Sequence, residues 1–389
     1  MSYILPMTDG QKLVAQIMKV VHQPHWKRII PETWNPNRPI LYYEETNFKG
    51  VPYQVPVFVL RTNPCLWFVQ GGCVMCNYMI EAGDKEKSIN GKHILNQVDW
   101  IIDFLGDLSS YPYIVVTTAG SFLSNYEIDR ETRLEVLNKL WKAGLPRISF
   151  ESEAKYCTDN KILNEIRENF GGEISIGIGM ESSDPYIRNV CLNKGLSPRT
   201  LNLATNALDI SGINFYNYIL LGKPFLTEDE DVSDAISSIE FAIDNGAFMV
   251  VMLMVNIQPY TLIHWLWERN LYHPPSLWSA IDVLKALPEQ YRKHVTIKGI
   301  DKAVPSPLAF AQGCSLCTNR LLLALKSWNL NRNFQELISS CETCSCHLDK
   351  ISIKSKSSSN LRRARISLNI QNVAYELGIS PKSMEENIQ

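Results

Sequence analysis

Long apolar runs are missing from this sequence. No stretch of the 389 residues stays apolar for the roughly 18–20 positions that a membrane-crossing helix needs. The opening MSYILPMTDGQKLV has neither a basic n-region nor a long apolar core, so no secretory leader is expected and the chain reads as soluble and cytoplasmic. An excess of one charge is missing too: 38 Lys and Arg stand against 40 Asp and Glu, a net charge of −2. That excludes a chain-wide electrostatic footprint for nucleic acid and leaves only a local basic patch open. GIGMES carries a glycine pair without the GxGxxG spacing of a dinucleotide fingerprint, and no solenoid-type repeat is found. Cysteine, by contrast, is plentiful. Of ten, three fall in residues 65–76 and five in residues 314–346, leaving only Cys157 and Cys191 alone as expected buried thiols. Clustering of this kind in a reducing compartment points to metal ligands rather than a disulfide framework.

From about residue 51, short β-rich runs alternate with amphipathic stretches. Candidate strands are Pro56–Leu60, Tyr113–Thr117, Arg147–Phe150, Glu173–Ile178, Phe215–Leu221 and Met249–Leu253, with helical patterns near 92–106, 131–143, 159–169, 198–210 and 229–243. Short apolar strands separated by helices imply βαβ units and a parallel sheet. Six such units suit a partial (β/α)6 TIM barrel, with a Rossmann-type open sheet as the competing architecture. The expected organisation is an N-terminal extension over 1–50, the barrel over 51–294, a Cys-rich region over 295–349 and a basic, Ser-rich tail over 350–389. The tail is expected to be solvated, with RNA contact as its other reading.

The first cysteine group, RTNPCLWFVQGGCVMCNY, spaces Cys65, Cys73 and Cys76 as C-x7-C-x2-C directly after the first strand. Structural zinc normally takes four ligands. Three thiolates on a [4Fe–4S] cube leave one iron open, where S-adenosylmethionine (SAM) can bind through its amino and carboxylate groups and be cleaved to a 5′-deoxyadenosyl radical. The alternative is a zinc ion completed by a distant residue. Tyr78 suits packing beside adenine, and Gly71–Gly72 lets the loop bend.

Parallel α/β folds place chemistry at the C-terminal ends of their strands. There the sequence reads TTAGSFLSN, with Gly120 allowing close approach of a ligand; ESEAKY, with Glu151 and Glu153; GIGMESSDPYIRNV, with Glu181 and Arg188; LGKPFLTEDE, with Lys223; and VNIQPYTLIHW, with Asn256 and Gln258. Polar residues after most strands are what a site for SAM and substrate requires. His264 and the group Trp265, Trp267 and Trp278 are expected to be packing residues.

Together the C-x7-C-x2-CNY run, TTAGSFL, FESEAKY, GIGMESSD, ILLGKPFLTE and NIQPYTLIHWLW…YHPPSLWS resemble the radical-SAM subunit of archaeosine synthase, within the Elp-three/MiaB-like radical SAM superfamily. The resemblance covers roughly residues 55–346. It implies a partial TIM barrel, a cluster on Cys65, Cys73 and Cys76, and an electron donor such as ferredoxin or flavodoxin. It also implies a partner transferase that first attaches lysine to a deazaguanine in tRNA, after which the lysine C–N bond is broken. Carried over by position, Ser121, Glu151, Glu181 and Arg188 would contact SAM, and Lys223, Glu228, Asn256 and Gln258 would face substrate. No tRNA-binding domain is evident. A radical SAM enzyme of natural-product biosynthesis or peptide modification, acting on a small molecule or peptide, is therefore the rival reading.

The second cysteine group reads QGCSLCTNR and, further on, CETCSCH. Paired cysteines on separate turns signal Zn2+, with an auxiliary Fe–S cluster as the alternative. The family pattern resembles CxxC followed by C-x-C. That implies Cys314 and Cys317 with Cys344 and Cys346 as ligands and Cys341 as spare. A zinc ion here would act as a structural staple. A zinc-only nucleic-acid module does not fit three ligands and a near-neutral chain, and a methylthiotransferase does not fit a core that no RNA-binding barrel follows.

Overall fold

The computed structural model describes residues 6–23, 34–83, 88–341, 344–347 and 359–379. One sheet holds eight strands in sequence order: β1 (Ile40–Phe48), β2 (Val51–Leu60), β3 (Ile114–Thr118), β4 (Arg147–Glu151), β5 (Glu173–Glu181), β6 (Asn214–Leu221), β7 (Met249–Met254) and β8 (Val295–Lys298). β1 pairs antiparallel with β2, and every later neighbour pair is parallel. Parallel neighbours need a crossover. It is supplied by α2 (Gly91–Leu105), α3 (Arg130–Lys142), α4 (Asn160–Asn169), α5 (Pro198–Ile210) and α6 (Glu228–Asp244), after an N-terminal α1 (Met7–Val21). Beyond β7 lie α7 (Leu262–Trp267), α8 (Leu277–Ala286), α9 (Thr318–Asn331), α10 (Phe334–Ser340) and α11 (Ser359–Glu376). Among the described residues no helix is long and apolar enough to cross a membrane.

The chain is an α/β partial barrel, and all six expected strands are in it. Two more flank them. β1 carries polar, half-buried side chains (ILYYEETNF), because as an edge strand it covers only one face, so its pattern looks like an extension. β8 is four residues long, too short to show a period. Both lie outside the segment expected to form the barrel.

β1 and β8 are the two free edges of a nearly closed sheet, and α9 lies across both. Asn329 of α9 accepts from the Ile297 N–H at 2.8 Å and donates to the Ile297 carbonyl at 2.6 Å, imitating a missing strand. Trp328 Nε1 donates to Val295 O at 3.0 Å, and Asn47 of β1 donates to Leu330 O at 2.5 Å. The Glu44 carboxylate of β1 pairs with the Lys298 ammonium of β8, so an ion pair bridges the same gap. Unpaired edge groups are costly when buried and adhesive when exposed; here one helix answers for both edges.

The basic tail departs from expectation. Residues 350–358 lie outside the described residues, but α11 is a docked helix. Its Ile366, Ile370 and Val373 pack with Leu13, Val14 and Ile17 of α1. Arg362 pairs with Asp184 at 2.9 Å, Arg365 pairs with Glu230, and the Arg363 guanidinium sits 5.0 Å over the Tyr186 ring. Apolar residues spaced three and four apart supply a buried stripe. The arginines read as a solvated run in sequence because their partners lie far along the chain.

Replacing Asn329 by Leu orphans the Ile297 N–H and carbonyl. The expected cost is about 2 kcal/mol, seen as a lowered urea midpoint and faster amide exchange confined to β8.

Candidate active site

The C-terminal ends of the strands enclose a cavity of about 240 Å³, whose wall includes Thr118, Glu151, Glu181, Leu220, Met254 and Lys298 from β3 to β8. Cys65, Cys73 and Cys76 all line it. Cys65 begins a one-turn helix (Leu66–Val69) directly after β2, and the chain returns through Gly71 and Gly72, both in the left-handed region. Asn193 pins this loop. Its Nδ2 donates to Gly72 O at 2.7 Å, and its carbonyl accepts from Trp67 Nε1 at 2.7 Å. Burial pushes all three thiols upward, Cys73 to about 12. Metal binding there must therefore displace protons.

The donor set discriminates between kinds of metal site. Tetrahedral zinc with Zn–S of about 2.3 Å holds its sulfurs roughly 3.8 Å apart. The N-terminal three do not all lie within 4.8 Å of one another, and among the described residues no His, Cys, Asp or Glu joins them in such a group. Glu153 Oε1 lies 3.9 Å from Cys65 Sγ, and three thiols that do not close into a tetrahedral group suit a cube whose irons each take one thiolate. The C-terminal group behaves in the opposite way. Cys314, Cys317, Cys344 and Cys346 all lie within 4.8 Å of one another, with sulfur separations of 3.6 Å (314–317), 3.5 Å (314–344), 3.7 Å (317–346) and 3.4 Å (344–346). Cys341 is outside this group. His347 Nε2 instead meets Asp282 at 3.0 Å while its ring stacks on Trp278 at 4.3 Å. The Leu316 N–H and neighbouring thiols hold Cys314 below its ordinary pKa, which favours the ligating thiolate. Those distances are zinc-like.

Beside the N-terminal thiols, Glu181 closes β5 with φ +66 at a register shift, a strained conformation for a non-glycine residue. Its Oε1 holds Lys194 Nζ at 2.8 Å. Burial opposes the Lys194 charge, yet Glu181 and Cys73 outweigh it and keep the ammonium protonated. Two glycines make room here. A Cβ on Gly179 would collide with the Glu181–Lys194 pair, and one on Gly120 would come within 2.6 Å of Glu127 Oε1 and 2.7 Å of Cys65 Cβ. Glu127 is 2% exposed and holds the TTAGS turn: the Ser121 N–H donates to it at 2.8 Å and Thr118 Oγ1 at 3.1 Å. Burial raises its pKa to about 8. Glu151 accepts from Tyr218 OH at 2.5 Å and Thr117 Oγ1 at 2.9 Å, and burial raises its pKa too.

Of the residues singled out in sequence, Tyr78, Gly120, Glu151, Glu181, Asn256 and Gln258 line this cavity with the three cysteines. Four others are not on its wall. Ser121 is fully buried, its Oγ accepting from the Glu153 N–H at 2.9 Å. Arg188 donates to Leu196 O at 2.9 Å and Ser182 O at 2.7 Å, folding the turn after β5. Lys223 is buried on Asp231 at 2.7 Å and Asp234 at 3.3 Å. Glu228 accepts from Ser279 at 2.5 Å, and with Lys223 it lines a separate cavity beneath α11. A buried ammonium must find carboxylates, and α6 supplies them one turn apart. Sequence reasoning missed Lys194, Glu127, Asn77 and the Tyr42, Glu44 and Lys298 wall. Lys194 lies just past the GIGMESSDPYIRNV block and nothing in the spacing marks it, and the last three come from the unexpected edge strands.

No family model matches the chain. It is similar to archaeosine synthase subunit beta of Methanosarcina acetivorans, 25% identical over 80% of this chain and 88% of that protein. The protein of the same name in Thermococcus kodakarensis is 29% identical over 62% of this chain and 74% of that one. An uncharacterized protein of Methanocaldococcus jannaschii is 30% identical over 58% of this chain; the match spans 62% of that relative's length. These matches agree with the resemblance to archaeosine synthase that the motifs carry.

Glu127→Ala is expected to cost about 2 kcal/mol through the orphaned Ser121 N–H and Thr118 hydroxyl. pH gives an independent check. A carboxyl raised from 4.5 to about 8 leaves the folded state holding more protons than the unfolded one. The stability it contributes is therefore full below about pH 4.5 and lost as pH rises through about 8. Urea titrations across that window are expected to fall more steeply for the wild type than for Glu127→Gln.

Proposed function

We propose that this chain binds a [4Fe–4S] cluster on Cys65, Cys73 and Cys76 and uses it to cleave SAM reductively and abstract hydrogen from an unactivated carbon. The observation that carries the reading is that Cys65, Cys73 and Cys76 line one cavity at the strand ends without closing into a tight tetrahedral group. When bound, the cluster supplies one electron to SAM, whose cleavage yields the 5′-deoxyadenosyl radical. The protein contributes placement and shielding. Glu181 and Lys194, one anion and one cation at 2.8 Å, complement the ammonium and carboxylate of the methionine moiety. Gly120 and Gly179 let Glu127, Cys65 and the Glu181–Lys194 pair pack against the backbone. At the other end, Glu151 with its raised pKa can hold or release a proton. Asn256 and Gln258 offer amides, and Gln258 Oε1 has no partner. Lys223 and Glu228 act on the shape of the neighbouring turn rather than on substrate.

The finer reading is cleavage of a lysine-type C–N bond on a 7-deazaguanine adduct in tRNA, following a partner transferase, with an acidic carrier such as ferredoxin or flavodoxin as reductant. The relatives named archaeosine synthase support it. A second reading, a small-molecule or peptide substrate, is favoured by one observation: Arg362 and Arg365 of α11 are turned inward onto Asp184 and Glu230 rather than left free for phosphates. Cys314, Cys317, Cys344 and Cys346 are proposed to hold zinc, on their sulfur spacing.

Anaerobic reconstitution and incubation with SAM and dithionite test the core of this reading. 5′-deoxyadenosine is expected, with about four irons and about one zinc per chain, and Cys65→Ala, Cys73→Ala or Cys76→Ala each abolishes it. Deoxyadenosine formed by those variants refutes the ligand assignment, and about eight irons replaces the zinc by a second cluster. Stripping the zinc with a chelator is expected to speed amide exchange at Val295 and Ile297, because Cys317 caps the helix that seals that edge. Release of lysine-derived product from adduct-bearing tRNA, but not from the free nucleoside, selects the tRNA reading.

A further inference from the structure

Asn77 follows the last of the three cysteines and lines the same cavity, between Cys76 and Tyr78. The residue is 1% exposed, and neither its Oδ1 nor its Nδ2 has a hydrogen-bond partner. Only its carbonyl is engaged, by the Ile80 N–H at 3.1 Å. A buried carboxamide with both atoms orphaned is expensive, and such groups are rare in native proteins unless a ligand completes them. The missing partner must present a donor and an acceptor side by side. A cluster sulfur would take the N–H and leave the oxygen orphaned, and a lone carboxylate or ammonium would satisfy only one atom. The adenine edge, with an exocyclic amine next to a ring nitrogen, satisfies both, and the Asn carboxamide is the side chain that pairs with it bidentately. The Tyr78 ring on the same wall offers the base a face.

We propose, resting on the radical SAM reading above, that Asn77 is the residue that selects the adenine base of SAM by a side-chain donor–acceptor pair. Its backbone is fixed by the one-turn helix over Tyr78–Glu81, and Met79 Sδ meets the Cys65 N–H at 3.0 Å. The carboxamide is thereby tied to both ends of the cysteine loop. A ligand pairing with Asn77 is held relative to all three thiols at once.

The test is equilibrium binding to the anaerobically reconstituted, unreduced protein, so that no turnover is read. The probes are SAM and the SAM analogue in which purine replaces adenine and the 6-amino group is absent. The wild type is expected to prefer SAM by roughly 10-fold or more. In Asn77→Ala that preference collapses to about unity, with the larger loss falling on SAM. Asn77→Asp still accepts from the 6-amino group but cannot donate to the ring nitrogen that both probes carry, so it is expected to weaken binding of both probes while keeping the preference, which guards against a folding defect in the alanine variant. A preference undiminished in Asn77→Ala, or lost in Asn77→Asp, overturns the proposal. So does a shift of the cluster's midpoint potential with the preference intact, which would assign Asn77 to the cluster. A wild type that holds iron but binds neither probe overturns the radical SAM reading itself, an outcome distinct from the other two.

Discussion

A parallel sheet cannot turn back between neighbouring strands, and most of this molecule follows from that constraint. Each of the crossings from β2 to β7 must carry the chain back to the start of the next strand. The parallel strands β2 to β8 therefore all end at the same rim. The loops that leave that rim carry the cysteines, Glu151, Glu153, Glu181 and the Asn256–Gln258 pair, so groups scattered over some two hundred residues face one cavity. Inside it the balance is electrostatic. Carboxylates crowd the thiols, and Lys194 is one of the cations set against them.

The same constraint creates the fold's weak point. A sheet of eight strands that does not close leaves two edges, and both border the cavity through Glu44 and Lys298. α9 answers with Asn329 on one edge and the Leu330 carbonyl near the other. That helix starts at Cys317, one of the four clustered thiols. The second cysteine group thus acts on the barrel through geometry, fixing the helix that fixes the edges. Asp231 and Asp234 of α6 play a comparable part on the other side, tying Lys223 and the Gly222 N–H to the turn beside β5.

Much of this was legible in the sequence, for definable reasons. The strands β2 to β7 are buried on both faces and flanked by amphipathic helices, so they stand out as short apolar runs. The cysteine spacing brings three thiols to one cavity, and the rim rule places the polar residues that follow strands. What stayed hidden depends on three dimensions. β1 looks polar because one of its faces is open, and β8 is too short to carry a pattern. Lys223 follows a strand as a substrate contact would, yet two carboxylates from the next helix turn it inward. The α11 arginines resemble a nucleic-acid patch until Asp184 and Glu230 are found beside them. Asn77, between Cys76 and an aromatic residue, stands out only once partners for its carboxamide are sought and not found.

The central claim is that the three N-terminal cysteines hold a cube with one iron left open. Mössbauer spectroscopy of iron-57-reconstituted protein, recorded with and without SAM, reads that site directly. The account predicts that one iron in four changes its isomer shift when SAM is added and the other three do not. A spectrum in which all four irons are alike and indifferent to SAM, or in which no cluster forms on Cys65, Cys73 and Cys76, would contradict it.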